Sequence, residues 1–158
     1  RDYPISFTAV FTVQEEIGIR GARVAAYRVN PRIALVIETT GAVDIPEARE
    51  QDYATSLGAG PAFTVQDESV IAHPRILERL IEVAESQKKP YQFRRYGGNF
   101  TDAGAIAPAG SGVAAGVIST PCRYIHTPVS MLFKEDWENL VEIVDAFIRS
   151  VHEKGLEI

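Results

Sequence analysis

The run Ile33-Ala34-Leu35-Val36-Ile37 is the strongest constraint on the fold, because it is unbroken by any polar residue and lies between two stretches patterned as helices. A strand without polar alternation needs cover on both faces, as in the sheet of an α/β protein. Before it, residues 20–28 place small and apolar side chains on one side of a short helix. After it, Pro74 opens a helix with Ile76, Leu77, Leu80, Ile81 and Ala84 at helical spacing. Residues 7–13, 62–65 and 114–119 read as further strands, and residues 91–96 alternate as an edge-like one. Gly97-Gly98-Asn99-Phe100-Thr101-Asp102 is a turn into a small-residue helix from Ala103. The last helix carries Trp137, Leu140, Val141, Val144, Phe147, Ile148 and Val151 on one side, with Glu138, Glu142, Asp145 and Arg149 largely opposite. Strands alternating with helices predict an α/β sheet with helices on its faces. No repeat or linker divides the 158 residues, which form one domain with a sizeable core.

Composition narrows the function classes. A net charge of −5 with no basic run argues against a nucleic-acid partner. No apolar stretch approaches the roughly 18–20 residues that span a bilayer, so no membrane is expected. With one cysteine, Cys122, no internal disulfide can form, which favours a reducing compartment and predicts a cytoplasmic protein. The chain opens on Arg1 rather than Met, and the natural product is expected to start further upstream.

Three groups follow predicted strand ends: the pair Glu15-Glu16, then Glu38, and His126 in Pro121-Cys122-Arg123-Tyr124-Ile125-His126-Thr127-Pro128. Ligands of open α/β sheets bind at the carboxyl ends of the strands. One imidazole with several carboxylates can hold zinc, cobalt or manganese, leaving a carboxylate to deprotonate water. Singly, each group has a plainer role, since paired loop glutamates are commonly solvated and a lone histidine is commonly a hydrogen-bonded structural group. Their coincidence at one edge favours a metal site. His73 before Pro74 reads as structural or exposed, and His152 as favoured by the dipole of the last helix. Cys122 reads as a buried thiol, and Asp44, Asp67 and Asp102 as turn and cap residues.

Three segments together resemble one family. Residues 9–22, Ala-Val-Phe-Thr-Val-Gln-Glu-Glu-Ile-Gly-Ile-Arg-Gly-Ala, are similar to the catalytic-glutamate motif of the glutamyl aminopeptidase and endoglucanase-M-type metallopeptidases, the tetrahedral aminopeptidases. Thr101-Asp102-Ala103 resembles the family's Thr-Asp-Ala segment, and residues 121–128 its metal-histidine motif. The resemblance implies a three-layer mixed sheet flanked by helices, of the zinc-exopeptidase kind and incomplete at its amino-terminal side. It implies an aminopeptidase with two divalent ions, zinc or cobalt. Glu15 would be the general base, Glu16 and His126 would bind one ion, Glu38 the other, and Asp102 would contact substrate. Implied partners are peptides, and a second copy of the chain or an upstream segment of the same product.

Departures accompany the resemblance. Glu38 stands where the family usually has aspartate. Asn99-Phe100 separates Gly97-Gly98 from Thr101-Asp102, which the family commonly joins. The family's first metal histidine and bridging aspartate precede the glutamate pair, whereas residues 1–14 hold no histidine and only Asp2. The expectation is therefore a carboxyl-terminal portion of a catalytic domain, unable alone to hold the ordinary two-ion site. Two other readings compete. A glycoside hydrolase would need carboxylates about 5–9 Å apart across a sugar cleft, with no use for His126. A non-catalytic remnant would serve as an assembly module.

Overall fold

The computed structural model describes residues 3, 5–49, 52–95 and 99–158. Along the chain run α1 (Arg20–Val29), β1 (Ile33–Gly41), β2 (Ala62–Thr64), α2 (Pro74–Ser86), β3 (Gln92–Arg94), α3 (Asp102–Ile106), β4 (Ala114–Arg123), β5 (Met131–Leu132) and α4 (Lys134–Lys154). The sheet is mixed, in the order β1-β4-β2-β3, with β5 also on β4. Strands β1 and β4 run parallel from Ile33 beside Ala114 to Gly41 beside Cys122. Strand β2 is antiparallel to β4 and parallel to β3.

Successive strand residues face opposite ways, so the sheet sorts its side chains into two layers. One face buries Phe63 and Ile118 against Ile76 and Leu80 of α2 and Leu140, Ile143 and Phe147 of α4. The other places Val36, Ala115 and Val117 against Ala103 of α3, and α1 packs on α3. Gly116 permits the close approach of α2, since a Cβ there would strike the Ile76 side chain. The α/β expectation holds, with the sheet between two helical layers. Among the described residues no helix is long and apolar enough to cross a membrane.

Four details differ from the sequence reading. Residues 7–13 hold no regular secondary structure, bend at Val13 and join no ladder, and Phe11 is 96% exposed. An apolar segment becomes a buried strand only where a neighbour offers its backbone a partner, and no described strand does so. Strand β1 runs past Glu38 to Gly41 and is only half covered. Its Ile33 and Leu35 join the α2–α4 core while Ile37 stays half exposed. Strand β4 continues through Pro121, which falls between the β2 pairing at Ile118–Ser119 and the β5 pairing at Cys122–Arg123. On α4, Trp137 and Val141 lie nearly half exposed, and the buried line is Leu140, Ile143 and Phe147. Tyr96, Gly97 and Gly98 lie outside the described residues, so the predicted extension of the edge strand and that part of the turn do too.

Candidate active site

The glutamate pair sits in a turn wound onto the start of α1. Gly18 and Ile19 donate their amides to the Glu15 carbonyl at 3.0 and 2.8 Å, and Gly21 donates to the Val13 carbonyl at 2.9 Å. Gly21 is required here, because a Cβ would fall onto the Val13 carbonyl oxygen and within 2.6 Å of its amide nitrogen. Gln14 and Ile19, on either side of the pair, hold left-handed backbone at φ 61° and 48°. Such a conformation costs a non-glycine residue about 1–2 kcal/mol.

His126 lies in the connection between β4 and β5, again in left-handed backbone (φ 62°), as is Tyr124 (φ 59°). The Thr127 hydroxyl sits between the Tyr124 and Val129 carbonyl oxygens, at 2.6 and 2.7 Å. Below the turn Arg123 Nε donates to Asp44 Oδ1 at 2.7 Å, and the Leu57 amide donates to Asp44 Oδ2 at 2.9 Å. The guanidinium holds the Asp44 carboxyl below its ordinary value, against the opposing effect of burial.

These turns bring the predicted groups together. Glu15, Glu16, Glu38 and His126 all line one cleft of about 460 Å³. His126 Nε2 lies 3.1 Å from Glu16 Oε2, and both side chains are largely exposed. Glu38 lies beside Ser119 of β4 and accepts the Asp102 amide at 3.2 Å. Asp102 does not line the cleft. Its side chain is buried, and Oδ2 accepts the Thr12 hydroxyl at 2.6 Å and so ties residues 7–13 to α3. Asp67 is a buried turn carboxylate, accepting the Ser69 and Val70 amides and the Ser69 and Thr101 hydroxyls.

Burial, and after it the crowding of acids, sets the electrostatics. Burial pushes the Glu38 carboxyl up to about 7, and the neighbouring Glu15, Asp102 and Glu16 charges add to this while the Asp102 amide opposes it. Glu15 is raised as well, by burial first, then by Glu16 and Asp102, with His126 pulling the other way. A carboxylate raised in this way accepts a proton more readily than an ordinary one.

Whether the residues present fit a metal can be judged from the donors. Carboxylate and imidazole oxygen and nitrogen donors are of the right type, and Glu16 with His126 already meet at bonding range of each other. Among the described residues, however, no group of three His, Cys, Asp or Glu side chains gathers closely enough to hold an ion. Among the described residues Glu16 and His126 are thus a pair of donors of the right type without a third beside them.

Sequence reasoning missed the floor of the cleft. Arg94 of β3 is 6% exposed, and its Nε donates to Thr40 Oγ1 at 2.9 Å. Strands β3 and β1 are separated by β2 and β4, so this side chain lies across the polar face of the sheet. Thr40, Thr64 and Ser119 share that floor. The alternation Tyr91-Gln92-Phe93-Arg94 carried the signal, but its polar side reads as a solvent face when the opposite wall is unknown.

Comparison with known proteins agrees with this architecture. The family described as M42 glutamyl aminopeptidase matches residues 1–143. An aminopeptidase from the archaeon Desulfurococcus kamchatkensis superposes with a TM-score of 0.85 at 43% identity, covering 88% of this chain and 40% of that one. A lysyl aminopeptidase from Pyrococcus furiosus is 32% identical over 145 residues, 90% of this chain and 40% of its own length. The TET1 peptidase of Pyrococcus horikoshii, described as assembling into a tetrahedron or a large octahedral shell, is 28% identical with a TM-score of 0.72, over 87% of this chain and 39% of that one. The chain spans about 40% of the length of the relatives it matches. A match over residues 1–143, with the same mixed sheet in the solved relatives, settles the family: the chain belongs to the M42 glutamyl aminopeptidases.

Proposed function

We propose that this chain carries the catalytic base and part of the metal-binding set of a metal-dependent aminopeptidase, as the carboxyl-terminal portion of a longer catalytic domain. The observation that carries this reading is the convergence of Glu15, Glu16, Glu38 and His126, from three separate segments, on one cleft. Glu16 and His126 would hold one divalent ion, zinc or cobalt, and Glu38 would serve a second. Such ions lower the pKa of bound water and polarise the scissile carbonyl. Glu15 takes a proton from the attacking water and hands it to the leaving amine, a task suited to its raised pKa. The turn from Val13 to Gly21 holds it at the cleft mouth.

Peptides with a free amino end are the substrates. A homo-oligomer is the working form, by analogy with the assembly described for the Pyrococcus horikoshii relative. The single buried cysteine suits a cytoplasmic setting. Hydrolysis of aminoacyl-p-nitroanilides by the intact polypeptide, supplied with zinc or cobalt, is the test. Glu15→Gln should lower kcat by at least about 100-fold while leaving the metal content unchanged. Full activity in that variant, or activity that persists after chelation, would overturn the reading.

A further inference from the structure

Two helices on opposite faces of the sheet present surfaces of opposite charge. Residues 20–32 hold Arg20, Arg23, Arg28 and Arg32 and no acidic residue, in a chain whose net charge is −5. All four are exposed, and none makes an ion pair among the described residues. Arg20 and Arg23 stand in the first turn of α1, which contains no acid. That end of a helix is positive, so cations there are unfavourable until a negative group meets them. Arg20, Arg23, Val24, Tyr27 and Arg28 recur at spacings of three and four and share one side of the helix. Tyr27 is 85% exposed, whereas Ala22 and Ala26 are buried.

The first half of α4 carries the matching pattern. Trp137 and Val141, four residues apart, are nearly half exposed. Glu138 and Glu142 are exposed beside them at the same spacing, and Glu135 precedes them. Glu138 is paired with Lys134 at 2.6 Å and Glu142 with Lys89 at 2.5 Å. Exposed pairs of this kind contribute little, so these glutamates exchange partners readily.

We propose that α1 of one copy of the chain docks on the first half of α4 of a second copy. Its arginines meet Glu135, Glu138 and Glu142, while Val24 and Tyr27 cover Trp137 and Val141. A guanidinium pairs bidentately with a carboxylate and also stacks on an indole ring, and this part of α4 offers both. Helices α1 and α3 cover one face of the sheet and α4 the other. One neighbour therefore cannot satisfy both surfaces, and the contact is head-to-tail: each copy offers α1 to one neighbour and α4 to another. None of these residues lines the cleft, which the contact leaves open. The proposal rests on the homo-oligomer reading and names the surfaces that meet.

Sedimentation equilibrium of the chain tests it. The mean mass should rise with concentration, with a dissociation constant below about 1 mM in about 10 mM salt, and fall back in about 1 M salt as the charges are screened. Arg23→Glu with Arg28→Glu, or Glu135→Lys with Glu138→Lys, should each weaken association at least about tenfold, since like charges then face one another. An equimolar mixture of the two double variants retains a single intact contact, so it should form a species of two copies and nothing larger. A chain carrying all four reversals should associate again. A chain that stays monomeric in low salt overturns the proposal and leaves α1 to an upstream segment. Association that strengthens with salt, or that survives both double reversals, overturns it in favour of the apolar residues 7–13. The unaltered chain decides the matter through its salt dependence even if a variant does not fold. In the intact polypeptide, an assembly of unchanged size in both double variants removes this contact and spares the homo-oligomer reading. Association of the chain as described, beside an intact polypeptide that is monomeric, does the reverse.

Discussion

Asp136 is a carboxylate 1% exposed in the first turn of α4, and it organises a loop from a distant part of the chain. Its Oδ2 accepts the Gly58 amide at 2.7 Å and its Oδ1 accepts the Gly60 amide at 2.8 Å. The loop so held leads into β2 and thus into Thr64 on the cleft floor. Replacing Asp136 by alanine removes both acceptors at once and strands the Gly60 amide, which is buried. A hydrogen bond to a charged group contributes about 1.5–3 kcal/mol, and a buried unsatisfied donor costs about 1–3 kcal/mol. The acid also faces the positive end of the α4 dipole, a smaller effect of about 0.3–1 kcal/mol. These contributions overlap, and Asp136→Ala should destabilise the chain by about 3–4 kcal/mol. That is a large share of the roughly 5–15 kcal/mol typical of a domain. Asp136→Asn keeps the shape and one acceptor oxygen, and its loss should be about half as great. Urea denaturation followed by circular dichroism measures both, with the midpoint moving and the slope unchanged. A loss under about 0.5 kcal/mol in the alanine variant, at constant slope, would refute the claim that this carboxylate secures the loop.

Two other perturbations probe the turns that carry the candidate acids and the histidine. Gly21→Ala should lower stability by about 1–3 kcal/mol through the clash with Val13, and thermal unfolding reads this. The altered turn should also separate Glu16 from His126, which a shift of the His126 imidazole resonances would report. Asp44→Asn tests the brace beneath the His126 turn through pH. The Asp44 pKa is lowered in the folded chain, so the stability it confers is present above the unfolded value near 3.8 and is lost as pH falls through the folded value. The stability gap between wild type and Asp44→Asn should therefore be constant at neutral pH and close in acid. A gap independent of pH down to complete protonation would show that Arg123 does not depend on the Asp44 charge.

Much of the fold was legible because its decisive patterns are local. The apolar run at Ile33–Ile37, the 3.6-residue periodicity after Pro74 and the long final helix each specify an element and the face it buries. The cleft was legible for a similar reason, since chemistry-bearing residues placed just beyond strand signals tend to meet at one sheet edge. Glu15, Glu16, Glu38 and His126 do line one cleft. What failed depends on partners. Residues 7–13 have the composition of a core strand yet form no ladder, because pairing belongs to two segments and not to one. Trp137 and Val141 extend an apolar pattern beyond the part of α4 that the sheet covers. Asp102 sits in a recognisable motif, but its direction is set by Thr12, ninety residues away. Arg94 was not singled out because alternation reveals which side chains share a face, not what lies opposite.

The left-handed residues around the glutamate pair and His126 bear on how this protein can be engineered. A search for thermostable variants rewards relief of local backbone energy, and Gln14, Ile19, Tyr124 and His126 are where such relief is on offer. Glycine at any of them would be gained at no steric cost. Selection on stability alone should therefore drift toward these two turns first and soften the supports of Glu15, Glu16 and His126. A stabilisation campaign that leaves these four positions fixed keeps the heat resistance it finds elsewhere without dissolving the cleft it was meant to preserve.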